Sequence, residues 1–408
     1  MEQINFFILS NEINTWFIFI NFFLILIFNF VVFSISKKNK INLFLSFSLY
    51  YYHLFFSFLY LEYTFRNQAD IFDYWYTSEF YLQKLFYNMF VIPDNITNSL
   101  LHIVGSDTIL FVIALFRFFN FDFLSTNIIF NFIGFLGIIN YFLIFRKLSS
   151  LNNKFILFLS VIILFFPSLH FWSSSIGKDS LIFYAISLIL LNFISHNGIK
   201  SYILGFLIII LIRPYIGVFI LTSYIFYFLI NLNFNNLRNI ISLIVISLIT
   251  FFTIFIASTH LSISFSDLNL NYISELLKTV NEERRVNFIN NENFVDVTSK
   301  NFVENLLFYI FYPFFTLNEI NNMFLLILSI ENLIILSILL ISIILFNLHN
   351  LDKSKIVTLV FFSFLTLLFL SSVTQNIGII LRQKWMIMPI IFSVVLSIIS
   401  SYKFDHIK

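Results

Sequence analysis

The chain has 408 residues, 59% of them hydrophobic, 21% aromatic and 11% charged, with a formal net charge of +2 and a mean hydropathy of +0.93. A soluble domain carries about 25% charged residues, so this composition excludes a soluble enzyme and a disordered tail, and the small net charge offers no field for nucleic acid. No cysteine is present, which removes disulfides, thiolate metal sites and cysteine nucleophiles.

The chain opens without a basic stretch, short apolar core and small-residue cleavage site, so its first run is read as retained. Apolar runs then fall at about 14–36, 41–63, 123–145, 155–171, 180–196, 201–213, 215–230, 239–258, 322–347, 356–372 and 386–401. A span takes roughly 20 apolar residues, and several runs are shorter. The pattern predicts an all-α, polytopic transmembrane bundle of about 11 helices, forming one integral membrane domain over 1–408. Two joints exceed plain connectors. Segment 64–122 carries ADIFDYWY and a short apolar stretch, SDTILFVIALFRFF, flanked by Asp107 and Arg117 and predicted to be an interfacial or re-entrant helix. Segment 259–321 carries a solvated charge run, Glu282, Glu283, Arg284 and Arg285. It then runs into FVENLLFYIFYPFF, predicted to be a helix lying along the membrane surface.

Assigning the joints alternately to two faces separates their charge. KKNK, RKLSSLNNK, SHNGIK, NNLRN, NLHNLDKSK and the tail SYKFDHIK carry twelve Lys/Arg and two acids, Asp352 and Asp405. The other face takes the remaining eleven basic and nineteen acidic residues. Short Lys/Arg-rich loops mark the cytoplasmic side. The expectation is therefore an integral protein of a bacterial inner (plasma) membrane, with its N-terminus outside, its C-terminus cytoplasmic, and 64–122 and 259–321 as exterior loops.

Charge near hydrocarbon costs about 2.5–3.5 kcal/mol on an insertion scale, so charges at run ends are the informative ones. Asp70 and Asp73 stand at a spacing that puts both carboxylates on one helix face. They can serve as a general base with its orienting partner or share a divalent cation, with Tyr74, Trp75 and Tyr76 beside them to stack on sugar rings and Trp75 a substrate-binding candidate, or they simply belong to a solvated loop that these aromatics anchor in the interfacial belt. In FFPSLHFWSSSIGKDSLIF, Pro167 and Trp172 close one run, and Asp179 stands as a helix cap before the next. Capping leaves Lys178 unexplained, because a helix start disfavours a cation; a lysine there suits phosphate or diphosphate. Arg213, followed by Pro214 and Tyr215 in RPYIG, is the most embedded charge, and needs a lipid phosphate or a carboxylate such as Asp179. Arg382, Gln383, Lys384 and Trp385 precede the final run, where two cations oppose the positive-inside trend. They read either as substrate-binding or as snorkelling to headgroups. Glu331 lies inside the 322–347 run. The seven histidines show no metal-ligand spacing, and no Ser/His/Asp triad can be assembled.

An acidic loop after an early helix, PSLHFWSSSIGKDS at mid-chain, RPYIG one hairpin later and NIGIILRQKWMIMP before the last helix together resemble the membrane-embedded glycosyltransferase-C superfamily. Within it the likeness is to O-antigen and exopolysaccharide polymerase-like proteins, over most of the chain as topology and a few dozen residues as motif. The resemblance implies a base or metal partner at Asp70 or Asp73, and diphosphate binding at Arg213, Arg382 and Lys178. The extra helix before the acidic loop and the absence of an Asp-x-Asp motif fit the polymerase type, which needs no metal. The expectation is a glycosyltransferase or polysaccharide polymerase that uses a polyprenyl-diphosphate-linked glycan on the exterior face, in cell-envelope polysaccharide assembly. Its expected partners are that glycan and membrane lipid. A transporter or flippase for a lipid-linked glycan is the competing class, although transporters commonly show midplane charges and repeated halves.

Overall fold

The computed structural model describes residues 15–67, 70–81, 104–149, 153–195, 198–231, 237–260, 281–282, 285–286, 289, 294–314, 323–345 and 352–401. Glu283 and Arg284 of the charge run lie outside them. Among the described residues fifteen α-helices follow in chain order: α1 (Thr15–Asn39), α2 (Leu43–Asn67), α3 (Asp70–Thr77), α4 (Ser106–Phe118), α5 (Phe123–Leu148), α6 (Lys154–Leu164), α7 (Pro167–Ser173), α8 (Lys178–Ser195), α9 (Ile199–Ile212), α10 (Pro214–Ile230), α11 (Leu237–His260), α12 (Phe302–Phe311), α13 (Met323–Ile344), α14 (Lys353–Val373) and α15 (Ile377–Ser401). The chain is thus a polytopic helical membrane protein.

Among the described residues seven helices are long and apolar enough to cross a bilayer, or eight if the bent pair α6 and α7 forms one span. All eleven expected runs fold as helices, and Ile199–Ile212, Pro214–Ile230 and Ile241–Ile254 are the shorter apolar ones among them. Runs 201–213 and 215–230 fold as α9 and α10, of 14 and 17 residues, separated at Pro214, which has no N–H to continue a helix. The described apolar part of α11 is Ile241–Ile254. α11 as a whole, Leu237–His260, has 24 residues, about 36 Å at 1.5 Å per residue against a hydrocarbon core of about 30 Å. The final helix is longer than its hydropathy indicated. It starts at Ile377, because nothing in LRQKW breaks a helix, and so Arg382 to Trp385 lie within its first turns.

The chain clusters into two compact units. One comprises residues up to Asn140 together with Pro167–Ile189 and Gly198–Arg213. Asparagines on α5 organise it. Asn127 donates to Ser57 Oγ at 2.8 Å and accepts the Ile176 N–H, while Asn131 donates to the carbonyls of His53 and Ser174. Glycine permits the closest approach: a Cβ on Gly134 would stand 2.0 Å from the Ser173 carbonyl oxygen. In a bilayer, where apolar burial drives helices together only weakly, such small-residue contacts carry the packing.

The second unit comprises 141–166, 190–197 and everything from Pro214 onward. α10 packs against α11 and α14, and α15 packs against α6, α13 and α14. Aromatic contacts recur along these seams, including Phe226 on Phe361 at 4.3 Å and Phe166 against Trp385 and Phe392.

Candidate functional site

The polar centre of the first unit is built by a helix stop and a helix start. Proline disfavours helical backbone in the residue before it, and Arg213 accordingly sits at φ −143°, ψ 76°, closing α9. Its guanidinium is buried, with Nη2 donating to Asp179 Oδ1 at 2.8 Å. Asp179 stands in the first turn of α8, where the helix dipole favours an acid. α8 begins two residues earlier than expected, at Lys178, so Asp179 is inside the helix and its carboxylate serves Arg213. Of the two anionic partners expected for Arg213, the carboxylate is the one the fold supplies. The end of α9 is tied further, since Leu211 O accepts from Gly105 N and Thr108 Oγ1 at 2.7 and 2.8 Å.

The other expected residues of this unit are placed around it. Asp70 and Asp73 both lie on α3 and are exposed. Trp75 has the Arg117 guanidinium 4.6 Å from its ring centre, and Arg117 also donates to Trp75 O and pairs with Glu79 at 3.2 Å. α4 is thus the short helix expected from SDTILFVIALFRFF, and it is fastened to α3. Beyond α3, burial and then the nearby Asp107 carboxylate push the Tyr81 hydroxyl up to about 12. Trp172 is buried in an edge-to-face cluster with Phe171, Tyr60 and Tyr63. A partnership that sequence spacing missed lies below it. His53 on α2 and His170 on α7, 117 residues apart, meet Nδ1 to Nδ1 at 3.0 Å and are fully buried. One ring donates and the other accepts, so the two neutral rings must differ in tautomer.

In the second unit, Tyr215 packs 5.4 Å from Phe369. Arg382 is half-buried on α15. Lys384 is 3% exposed and donates to Asn332 Oδ1, beside the equally buried Glu331 whose charge acts on it. The segment before α15 is tied to 281–297. Val295 N donates to Gln375 O at 2.9 Å, Phe294 bridges Asn376, Gln375 donates to Asn281 O, and Asn281 donates to Ser372 O. Asn281, Phe294 and Val295 therefore lie at the same end of this unit as the start of α15.

Among the described residues no group of three or more His, Cys, Asp or Glu is placed to hold a metal ion. Compared with family models, with curated proteins and with solved structures, the chain matches none.

Proposed function

We propose that the chain is a membrane glycosyltransferase of the glycan-polymerase kind. It acts on a polyprenyl-diphosphate-linked glycan at the face that carries 64–122 and 259–321, taken as the exterior of a bacterial inner membrane. The observation that carries this reading is the buried Arg213–Asp179 pair, with Lys178 adjacent in sequence at the start of α8. A guanidinium held at the end of an apolar helix meets a ligand whose tail is lipid and whose head is anionic. Asp179 keeps it folded and neutralised until that head arrives. A diphosphate brings more negative charge than one carboxylate, and so competes for Arg213 where a single carboxylate ligand would not.

In the proposed reaction an acceptor sugar hydroxyl attacks the anomeric carbon of the donor glycan. The new glycosidic C–O bond forms as the bond from carbon to diphosphate oxygen breaks, and polyprenyl diphosphate leaves. Arg213 and Lys178 offset the charge that grows on the leaving diphosphate. The carboxylate of Asp70 or Asp73 accepts the hydroxyl proton.

The test substitutes Arg213 and, separately, Arg382 with Ala, confirms insertion, and follows extension of lipid-linked glycan on gels of membranes from the host. Shortened products are expected, and full-length product in both variants overturns the reading. One observation favours the transport class instead: Lys384 and Glu331 are buried within spans, where ionisable groups commonly mark a translocation path. Normal extension combined with failure of the lipid-linked precursor to cross the membrane selects that reading.

A further inference from the structure

The two ends of α12 are finished in opposite ways. At its start Asn301 accepts from the Glu304 N–H at 2.9 Å, and the Glu304 carboxylate accepts from the Asn301 N–H, a reciprocal cap made of exposed side chains. At its end the carbonyls of Phe311 and Tyr312 accept from Asn332 Nδ2 at 2.9 and 2.8 Å, in surroundings where Tyr309, Phe311 and Asn332 are buried. Asn332 is about 14 Å along α13 from its first residue, and Lys384 about 10 Å along α15 from its own, at 1.5 Å per residue. The distance along α15 runs inward from the end where Phe294 and Val295 meet Gln375 and Asn376. The apolar side chains Val303 and Leu307, 60% and 40% exposed, are suited to lipid.

A helix C-terminus presents unpaired carbonyls and partial negative charge. At membrane depth no water satisfies them, so irregular backbone survives there only when the protein supplies partners. Asn332 supplies the hydrogen bonds, and Lys384, donating to Asn332 Oδ1, supplies a positive charge beside the negative end of the helix. Glu331, next to Asn332 on α13, is also buried there.

We infer that α12 is a re-entrant helix rather than a surface one, and that Lys384 is a positioning residue which seats it in the bundle through Asn332 instead of holding an anionic substrate. The inference goes beyond the transferase reading and does not depend on it.

The chain has no cysteine, so single introduced thiols report position directly. Phe311→Cys at the buried end of α12 is expected to resist a membrane-impermeant maleimide, while Ser299→Cys, in the exposed turn before α12, is labelled in every background. Adding Lys384→Met to Phe311→Cys raises its labelling rate about tenfold or more, the scale of a lost hydrogen bond to a charged group. Lys384→Arg restores protection. Asn332→Leu gives the same increase, and the double variant no more, because both act on one contact. Ready labelling of Phe311→Cys with Lys384 intact, or no change on Lys384→Met, overturns the inference; the second outcome is what a lysine serving only substrate produces. If Lys384→Met does not accumulate, Asn332→Leu carries the same test. Failure of both beside a normal Lys384→Arg overturns a role confined to seating this helix.

Discussion

Arg213 and Asp179, 34 residues apart in the chain, share a 2.8 Å ion pair with their side chains only 8% and 15% exposed. Burial of two charges is sustained by their geometry and not by the net worth of the pair, since desolvation offsets most of the attraction. Removing one partner strands the other.

Arg213→Met or Asp179→Asn alone is therefore expected to lower stability by about 3–5 kcal/mol, while Arg213→Met combined with Asp179→Leu recovers most of the loss. Thermal unfolding in detergent micelles measures all three. Equal melting of the single and parent proteins shows that water reaches the pair.

At Gly134 the expected outcome is steric. An added Cβ meets the Ser173 carbonyl oxygen at 2.0 Å and His53 Nε2 at 2.9 Å, and the first of these is backbone that cannot turn aside. Gly134→Ala should cost several kcal/mol, at or above the 1–3 kcal/mol typical of overpacking, or prevent accumulation. Gly378→Ala, whose Cβ would meet only the Asn376 side chain at 3.2 Å, is the matched control for expression and melting.

His170→Phe keeps an aromatic ring in place but removes the partner of His53 Nδ1. A buried polar atom left unsatisfied costs about 1–3 kcal/mol. The melting temperature should fall accordingly, and His53→Phe with His170→Phe should fall less than the sum of the two single changes.

Orientation is read from labelling of intact cells. Lys38→Cys, at the exposed end of α1, should react with impermeant maleimide only after the membrane is opened. Ser299→Cys should react before. The reverse pattern inverts the assignment of every joint.

Asp352 caps α14. Burial raises its pKa, but hydrogen bonds from Ser354 Oγ and Lys355 N, with the Lys355 charge, hold it below the ordinary carboxylate range overall. A depressed value means that the cap is fully formed at neutral pH and is lost as pH falls through the folded value. Asp352→Ala should remove about 1 kcal/mol at pH 7 and make little difference once the parent carboxyl is protonated. Melting curves across pH 2–7 compare the two.

Helical class and membrane character were legible in the apolar runs because hydropathy reports them directly. So was the paired joint of 259–321 with the start of the last helix, since alternation alone puts them on one face. Span number was legible only in part: Pro214 divides 201–230 into helices of 14 and 17 residues, each below the roughly 20 residues of a span, a matter of length that a list of runs understates. The RQK triplet hid the true start of α15, because a window that scores polarity ends where charge begins, whereas a helix ends where a breaker stands. Arg213 announced its need of an anion, and the fold met it with Asp179. The His53–His170 contact gave no such signal, as no local spacing links residues 117 apart. Lys384 read as a substrate-binding or headgroup-snorkelling cation because the residues beside it, Glu331 and Asn332, come from a helix some fifty positions earlier.

The tie between Val295 and Gln375 is made by main-chain atoms, and the Phe294–Asn376 bridge is of the same kind. Main-chain bonds are indifferent to the side chains hung on them. Phe294 and Val295 can therefore exchange their side chains while this part of the chain stays fastened to the start of α15.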